Sequence, residues 1–439
     1  MGKMADLPNY APGMPVVGPT LKFLATPLDY FVDGYRSAGP VFRTVFGGTA
    51  TTVLAGVEAN KAVLDNPTAW SVGQPLRVFR EQFSDRYLTQ LDGDSHKEKR
   101  RRMTPGFRMR GLVGEAESMA TGASEVLHAA AKQGETDMRA LCARLIAVTQ
   151  TRAMLGVDFP HEIHDEVVKL EHHLLMGGAF GPLRHVWYAH PGYRKRKAKL
   201  RAYLDEIATQ RAMGCPVDHT GGDDEDAGMV TRMVVCDESI SPAERAEDLL
   251  MLLLAGSETT TNVLLWMLLL VAGKEEWLTR LDGEIASWSP TTFGKPEDWP
   301  LLQATVIETE RLRPPIPLLM KQAVVDIDVA GHTLPAGTVA LTALTVPHFL
   351  DEVYPDAHTY NPARFASGDL PTPAELTTFG GGPHLCLGMN LARLQEMLLL
   401  AMVRQGWSIT PTTAVDLTPK FRSVVTPASK EIRARVSAT

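Results

Sequence analysis

The residue in this sequence best placed for chemistry is Cys386. It follows three glycines, a proline and a histidine in FGGGPHLCLG, residues 379–388, and a helical pattern begins directly afterwards at Met389. Glycines allow close backbone approach, and free N–H groups at the start of a helix stabilise a thiolate. The segment therefore predicts a metal ligand or a nucleophile, whereas each of the other three cysteines is interpreted as a small buried hydrophobic residue.

Three kinds of chemistry are open to Cys386. A nucleophile needs an oriented base, and nothing in the sequence shows what would orient His384, two residues earlier. A zinc site needs more ligands close by. A single thiolate ligand on haem iron is the alternative that remains, because the porphyrin supplies the in-plane ligands.

A carboxylic acid and an alcohol interrupt the most apolar stretch of the chain. Residues 249–273, LLMLLLAGSETTTNVLLWMLLLVAG, are enough for the ~20 residues of a membrane span. Glu258 at the centre would be costly in a bilayer, so we predict a helix buried in protein. A buried carboxylate is costly unless it has a role, and proton chemistry beside Thr259 would give Glu258 one. The alternative for Thr259 is an ordinary hydrogen bond to a backbone carbonyl.

The cysteine loop resembles the haem-binding loop of the cytochrome P450 family, with Phe379, Gly382, His384, Cys386 and Gly388 at the family's spacing. Other segments resemble further motifs of that family, occur in its order, and extend the resemblance from about residue 8 to the end. They are DGDSHKEKRRRMTPGF at 92–107, AGSETT at 255–260, ETER at 308–311, LRPP at 312–315 and HFLDEVYPDAHTYNPARF at 348–365.

The resemblance implies that Cys386 is the thiolate ligand of haem b, iron protoporphyrin IX. Phe379 would pack beside the sulfur and affect its dielectric surroundings. The propionates of the haem would be held by His96, Arg100 and His384. Many relatives have an arginine for the propionate where this chain has Lys321, and lysine lacks the forked geometry of a guanidinium.

The resemblance also assigns roles to the polar centre of the apolar stretch. Thr259 would hydrogen-bond dioxygen or its water molecule, Glu258 would relay protons, and Thr260 is a weaker catalytic candidate. Ala255 and Gly256 would leave space for oxygen and substrate.

Three charged residues are assigned a structural role by the same resemblance. Glu308, Arg311 and Arg364 would form a buried ion-pair network that holds the region of the cysteine loop. After His348 the chain has Phe349 and Leu350 in place of the family's usual Arg-Asp.

The substrate expected from the resemblance is a small hydrophobic molecule such as a terpenoid, steroid, fatty acid or aromatic compound. The alternative for every predicted pocket residue is an ordinary place in the core. The predicted pocket residues are Phe79, Phe83, Leu88, Leu252, Ile316, Leu318, Leu319 and Val424.

The predicted fold is mainly α with a smaller β portion, an α+β cytochrome P450 fold in a single domain, residues 1–439, with an extended proline-rich stretch at 1–20. Helical periodicity covers 110–156, and amphipathic helices are predicted at 162–178 and 194–214. Short strands are predicted within 323–344, and a long helix from Met389.

The composition of the chain indicates which partners and which cellular compartment to expect. The 439 residues carry 44 basic and 51 acidic side chains, a net charge of −7, which argues against a nucleic-acid partner. The four cysteines, Cys142, Cys215, Cys236 and Cys386, are few and far apart, which indicates a reducing cytoplasm. The N-terminus contains no apolar signal or anchor, so we expect no membrane span. The protein is also expected to be a monomer.

Electrons are expected from NAD(P)H through a separate reductase with a ferredoxin or flavodoxin, because no flavin or iron–sulfur segment is fused to the chain. A basic surface formed by Lys97, Lys99, Arg101, Arg102, Arg108 and Arg110 would attract such an acidic partner. The run RKRK at 194–197 is interpreted as the solvated side of a helix. The resemblance thus implies a haem-thiolate monooxygenase that activates O2 with two of these electrons and hydroxylates its substrate. The alternatives are a peroxide-using or isomerising haem-thiolate enzyme, and a haem or ligand-binding protein without turnover.

Overall fold

The computed structural model describes residues 7–13, 18–46, 49–76, 82–83, 86–178, 184–212, 240–422 and 424–439. Helices dominate the described part, in agreement with the prediction. They are α1 (Gly18–Ala25), α2 (Asp29–Ala38), α3 (Gly56–Asp65), α4 (Gly93–Met103), α5 (Met109–Val113), α6 (Ala116–Gln133), α7 (Met138–Leu155), α8 (His161–Gly178), α9 (Arg184–Ala189), α10 (Pro191–Ala212), α11 (Pro242–Val271), α12 (Glu275–Ile285), α13 (Pro300–Leu312) and α14 (Met389–Gly406).

Twelve short strands in the described residues form four small sheets. The largest has the order β1-β2-β8-β5-β3, β4-β12-β9 form a second, and β6-β7 and β10-β11 are hairpins. Their bounds are β1 (Val41–Phe46), β2 (Thr49–Ala55), β3 (Trp70–Ser71), β4 (Glu135–Asp137), β5 (Leu319–Ala323), β6 (Ile327–Val329), β7 (His332–Leu334), β8 (Val339–Ala343), β9 (Trp407–Pro411), β10 (Pro419–Arg422), β11 (Val424–Pro427) and β12 (Arg433–Ala438).

Helix α11 runs through the middle of the helical core. It begins where the Ser241 side chain accepts a hydrogen bond from the Glu244 N–H at 3.3 Å, with Pro242 in the first turn. Its neighbours include α7, α8, α10, α13 and α14. Among the described helices it alone is long and apolar enough to cross a membrane, but 72% of its apolar window is buried inside the protein. The prediction of a core helix is therefore confirmed.

A buried ion pair fixes α4 to the first turns of α11. Lys99 Nζ lies 2.6 Å from Asp248 Oδ1, and both side chains are almost completely buried. Lys99 also donates to the Arg86 carbonyl oxygen at 2.6 Å. The prediction that Lys99 belongs to a solvated basic surface is thus wrong, because its side chain is buried and paired with Asp248.

The basic run RKRK at 194–197 also departs from its prediction. Arg194 and Lys195 are exposed, as the solvated side of α10 requires. Lys197 is half-buried, with its Nζ 4.8 Å from the centroid of the Phe83 ring, so the prediction is wrong for this residue.

The secondary structure departs from the sequence expectations at two places. Helix α1 begins at Gly18, inside the stretch 1–20 for which an extended chain is predicted. The periodic segment 110–156 is divided among α5, α6 and α7, and β4 separates the last two. Gly134, with φ of 80°, ends α6, and Asp137 caps α7 by accepting from the Ala140 N–H at 2.7 Å.

Candidate active site

The cysteine loop is folded by glycine and by its own backbone hydrogen bonds. Gly380 and Gly382 have φ of 71° and 63°, in the left-handed region that favours glycine. The Cys386 N–H donates to the Phe379 carbonyl oxygen at 2.9 Å, and α14 begins three residues later. Gly380 and Gly382 are therefore favoured by the turn that brings Cys386 back beside Phe379, whereas a Cβ at Gly381 would overlap the Leu64 side chain.

Protein atoms surround Cys386 on most sides, but part of its side chain remains accessible. Its side chain is exposed, yet burial by surrounding atoms raises the pKa of its thiol. The N–H groups of Gly388 and Met389 and the Arg100 guanidinium lower that pKa, so the expected support for a thiolate is present but outweighed. An enclosed side chain that remains accessible faces an internal space, where a metal cation would deprotonate a coordinating thiol outright.

The predicted propionate partners lie together. The His96 and His384 rings stack with centroids 3.9 Å apart, and His384 Nε2 lies 3.5 Å from Asp92 Oδ1. Burial, His384 and Arg100 lower the pKa of His96 to about 4, so its ring is neutral at pH 7. Lys321 lines the same crevice as His384, and burial lowers its pKa.

The basic cluster formed by His96, Arg100, His384 and Lys321 includes two cationic side chains without a partner among the described residues. In the described part of the chain, neither the half-buried Arg100 guanidinium nor the half-buried Lys321 ammonium has a hydrogen-bond or ion-pair partner. Asp92 is already occupied by Ser71 Oγ at 2.5 Å and the Val72 N–H at 3.0 Å. Burial would raise the pKa of Asp92, but His384 and Ser71 lower it to about 2. Asp92 therefore does not balance the charges of Arg100 and Lys321, which have no anionic partner among the described residues.

These features fit a haem. Two unpartnered cations and two histidines suit the carboxylates of the group, and an accessible thiol suits its iron. At Gly388, beside the thiol, an added Cβ would meet no other residue within 4 Å. The residues that would hold the haem are Cys386, His96, Arg100, His384 and Lys321.

One face of α11 is open in the middle of an otherwise buried helix. Ala255 is exposed, and Gly256 and Thr259 are half-buried. Thr259 Oγ1 donates to the Ala255 carbonyl oxygen at 2.8 Å, the backbone bond considered as an alternative for this side chain. Its oxygen can still accept a hydrogen bond. Thr260 is only 3% exposed, so the structure does not place it on the open face.

The structure gives a reason for the glycine at position 256 that the sequence does not reveal. A Cβ at this position would overlap the side-chain amide of Gln150 from α7. Gln150 Nε2 donates to the Leu252 carbonyl oxygen at 3.0 Å, which holds the helix backbone just before the open face. Gly256 therefore accommodates a protein side chain in addition to any space it leaves for a ligand.

Glu258 is buried and paired. Its carboxylate forms an ion pair with Arg139 of α7, and Arg139 also donates to Asn262 Oδ1 at 3.0 Å. Glu171 of α8 lies nearby, and burial and the Glu258 carboxylate raise its pKa well above the ordinary value. Glu171 Oε2 has no hydrogen-bond partner among the described residues. Two carboxyl groups therefore lie close together here, that of Glu258 paired with Arg139 and that of Glu171 with one oxygen unpartnered among the described residues.

The predicted ion-pair network is connected to the cysteine loop. Arg311 donates to both carboxylate oxygens of Glu308, at 2.7 and 2.8 Å, and to the His348 carbonyl oxygen. His348 Nδ1 lies 3.0 Å from the Arg311 carbonyl oxygen, and the Thr377 N–H donates to His348 Nε2 at 3.0 Å. The N–H of Gly380 in turn donates to the Thr377 carbonyl oxygen at 2.8 Å.

Arg364 completes this network from a 3₁₀ turn at Pro362–Phe365. Its Nε lies 3.4 Å from Glu308 Oε1, and its terminal nitrogens donate to carbonyl oxygens of Pro355 and Asp356. Phe349 and Leu350, the departures from the family pattern, are each 1% exposed and belong to the apolar core.

A second charged group near the loop was not predicted from the sequence. Arg393 of α14 forms an ion pair with Glu310 at 2.8 Å, and its guanidinium lies 5.1 Å from the centroid of the Phe379 ring. Burial and Glu310 raise the pKa of Glu396 well above its ordinary value. Glu310 lies within the ETER motif, which is the one sequence signal that could have identified this cluster.

The predicted pocket residues differ in how deeply the structure buries them. Phe79 lies outside the described residues. Phe83 is half-buried, while Leu88, Leu252 and Val424 are buried, as their alternative place in the core requires. Ile316, Leu318 and Leu319 are half-buried beside the β11 hairpin, since the Val425 N–H donates to the Pro315 carbonyl oxygen at 3.0 Å.

The chain was compared with known proteins. The Cytochrome P450 family model matches residues 8–433. Taxane 13-alpha-hydroxylase of Taxus cuspidata is 26% identical over 414 residues, 88% of this chain and 83% of the relative. Lanosterol 14-alpha demethylase of Bos taurus is 24% identical over 408 residues, 87% and 78% of the two chains. The solved structure of retinoic acid bound cyanobacterial CYP120A1 shares the fold, with a TM-score of 0.81 at 22% identity over 99% of each chain.

Proposed function

This chain belongs to the cytochrome P450 family and is a haem-dependent monooxygenase, and from that premise we propose that it hydroxylates a hydrophobic small molecule with electrons from NAD(P)H. The observation that carries the proposal is the open face at Ala255 and Thr259 in an otherwise buried helix, together with the accessible, enclosed Cys386. Two relatives are named for taxanes and for a sterol, which supports a bulky terpenoid or steroid substrate.

When bound, the haem supplies the activation of dioxygen. The protein's own residues bind the haem and deliver protons to the open face of α11. Arg100, His96, His384 and Lys321 would hold the haem carboxylates, and Cys386 would hold the iron as a thiolate. Thr259 Oγ1 orients oxygen or water through its free lone pair, and the buried Glu258 carboxylate moves protons toward that hydroxyl.

Arg139 and Glu171 support the proton relay in this proposal. The ion pair with Arg139 compensates the burial of the Glu258 carboxylate, which would be costly without a partner. Glu171, whose pKa burial and Glu258 raise well above its ordinary value, would supply protons to this relay. Thr260 is omitted from the proposed relay because it is buried away from the open face.

Thr259→Ala should lower the fraction of NAD(P)H electrons that reach the product by about tenfold, with the remainder released as hydrogen peroxide or water. Haem content should not change, since Thr259 is not among the residues that would hold the haem. The measurement is the ratio of product formed to NAD(P)H consumed, with a surrogate ferredoxin and reductase. Thr259→Ser, which keeps the hydroxyl, is the control. Unchanged coupling in Thr259→Ala would remove Thr259 from the relay and favour a peroxide-using or isomerising enzyme.

The proposed electron donor is a ferredoxin or flavodoxin that docks on the cysteine side. Asn390, at the start of α14, donates to the Phe107 carbonyl oxygen at 2.9 Å, so the segment carrying Arg108 lies beside the cysteine loop. Lys97, Arg101 and Arg108 are exposed. This surface is basic although the whole chain has a net charge of −7, which supports an acidic partner.

Arg101→Glu should raise the KM for the electron-donor protein about tenfold at low ionic strength, with a smaller effect at high salt. Lys195→Glu, the same change of charge at an exposed position of α10, is the matched control and should leave KM unchanged. Steady-state kinetics with varied ferredoxin measure both. Equal effects of the two variants would show a general effect of net charge and no docking surface.

We also propose that the enzyme works as a single-domain monomer in the cytoplasm. Both cysteines in the described residues, Cys142 and Cys386, are free, which supports a reducing compartment. Sedimentation of the purified protein at micromolar concentration tests the monomer.

A further inference from the structure

A buried ion pair between α13 and α14 lies behind the cysteine loop. Arg393 Nε lies 3.1 and 3.2 Å from the two carboxylate oxygens of Glu310, and a terminal nitrogen of the same guanidinium donates to Glu310 Oε2 at 2.8 Å. The Glu310 side chain is 0% exposed and that of Arg393 is 17% exposed. Because water is largely excluded, these charges are screened less than those of a surface pair.

The ion pair contacts two adjacent residues at the start of the cysteine loop. The Arg393 guanidinium lies 5.1 Å from the centroid of the Phe379 ring, a distance at which a cation is attracted to an aromatic face. Thr378, directly before Phe379, donates from its hydroxyl to the Glu310 carbonyl oxygen at 3.1 Å. The pair is therefore fixed to the loop through both a side chain and the backbone.

Phe379 connects this ion pair to Cys386. The Cys386 N–H donates to the Phe379 carbonyl oxygen at 2.9 Å, so the residue that carries the thiol is bonded to the residue beside the guanidinium. Burial raises the pKa of the Cys386 thiol, and the Glu310 carboxylate raises it further. The charge of Glu310 thus acts at the sulfur.

Arg393 is the cation that opposes the acids of this cluster. Burial and Glu310 raise the pKa of Glu396, three residues further along α14, well above its ordinary value. Burial lowers the pKa of the Arg393 guanidinium, but Glu310 and Glu396 raise it by more, so the net shift is upward. The guanidinium therefore stays charged beside Phe379 although it is largely buried.

We propose that Arg393 is a positioning residue for the thiolate, and that its charge, held by Glu310 beside Phe379, raises the reduction potential of the haem bound by Cys386. This inference rests on the proposed function, in which Cys386 holds the iron as a thiolate. A cation near the sulfur withdraws electron density from it and favours the reduced iron, whereas an anion has the opposite effect.

Two substitutions that remove opposite charges test this proposal. Arg393→Met should lower the equilibrium constant for one-electron reduction of the haem about tenfold, which corresponds to about 59 mV. Glu310→Gln should raise the same constant. General disruption of the loop would shift the potential in the same direction in both variants, so shifts of opposite sign identify an effect of charge. The measurement is a spectroelectrochemical titration of the haem-loaded protein at pH 8.

Two further variants serve as controls. Arg393→Lys keeps the charge and should keep the equilibrium constant within about twofold of wild type. Arg404→Met removes an arginine from the other end of α14, where it is paired with Asp282 at 2.6 Å, and should leave the potential unchanged. If Arg393→Met does not retain haem, the sign of the shift in Glu310→Gln decides.

The inference is overturned if Glu310→Gln lowers the potential or leaves it unchanged, if Arg393→Met fails to lower it, or if Arg404→Met lowers it as much. The spectrum of the reduced carbon monoxide complex tests the proposed function separately. A wild-type protein without the red-shifted band would refute thiolate binding by Cys386, whereas a protein with that band and a potential insensitive to these charges would refute only the role of Arg393.

Discussion

Replacing Cys386 with histidine should abolish the strongly red-shifted Soret band that is expected of the reduced wild-type protein with carbon monoxide. The shift requires a thiolate on the iron, and histidine offers a neutral nitrogen in its place. Monooxygenase turnover should fall by at least about 100-fold, since loss of an inner ligand exceeds the effect of losing an outer partner. Absorption spectroscopy of the reduced protein and product analysis measure the two effects.

The matched control for this prediction is Cys142→Ser, a change at a buried cysteine of α7 outside the loop. This variant should keep the red-shifted band even if its stability decreases. A wild-type protein that carries haem without the shift, or a Cys386→His variant that retains it, would contradict the assignment of Cys386 as the ligand.

Replacing Glu308 with glutamine should lower the free energy of unfolding by about 3–5 kcal/mol, because it leaves the Arg311 guanidinium buried without its carboxylate. Both side chains of this pair are 0% exposed. The loss should also reduce haem retention, since Arg311 contacts His348, which is bonded to the start of the cysteine loop through Thr377. Urea unfolding followed by circular dichroism, and the haem content after gel filtration, measure these effects.

A surface ion pair provides the control for the buried one. Asp282 and Arg404 are 2.6 Å apart with side chains 42% and 31% exposed. Asp282→Asn should change the free energy of unfolding by less than about 1 kcal/mol, because water already screens that pair. Similar small losses in Glu308→Gln and Asp282→Asn would show that the buried network is not a major source of stability.

Local sequence signals predicted the parts of this site that depend on chain geometry. The glycines before Cys386, the carboxylate inside an apolar helix and the ETER motif each mark an unusual requirement of the backbone or of a buried charge. The chain order of these motifs indicated the cytochrome P450 fold, and the family comparison confirms it. The roles of the individual site residues remain predictions for the experiments described above.

Other features depend on tertiary pairing and had no local signal. Lys99 and Lys197 lie in basic runs typical of solvated surfaces, yet one is buried against Asp248 and the other lies over Phe83. Arg139, Glu171 and Gln150 come from α7 and α8, more than 70 residues before the helix that they support. Periodicity in either segment does not reveal a contact over that interval. A charged residue can thus be buried against a partner distant in sequence although its local sequence pattern is that of a solvated surface.

The bonds that shape the cysteine loop have a consequence for how the cofactor is acquired. Gly380, Thr377, His348 and Arg311 are joined to one another by hydrogen bonds that involve protein atoms alone. The conformational entropy of ordering this loop is therefore lost during folding, and binding need not supply it again. The polypeptide presents a preorganised loop, so more of the free energy of cofactor binding is available as affinity.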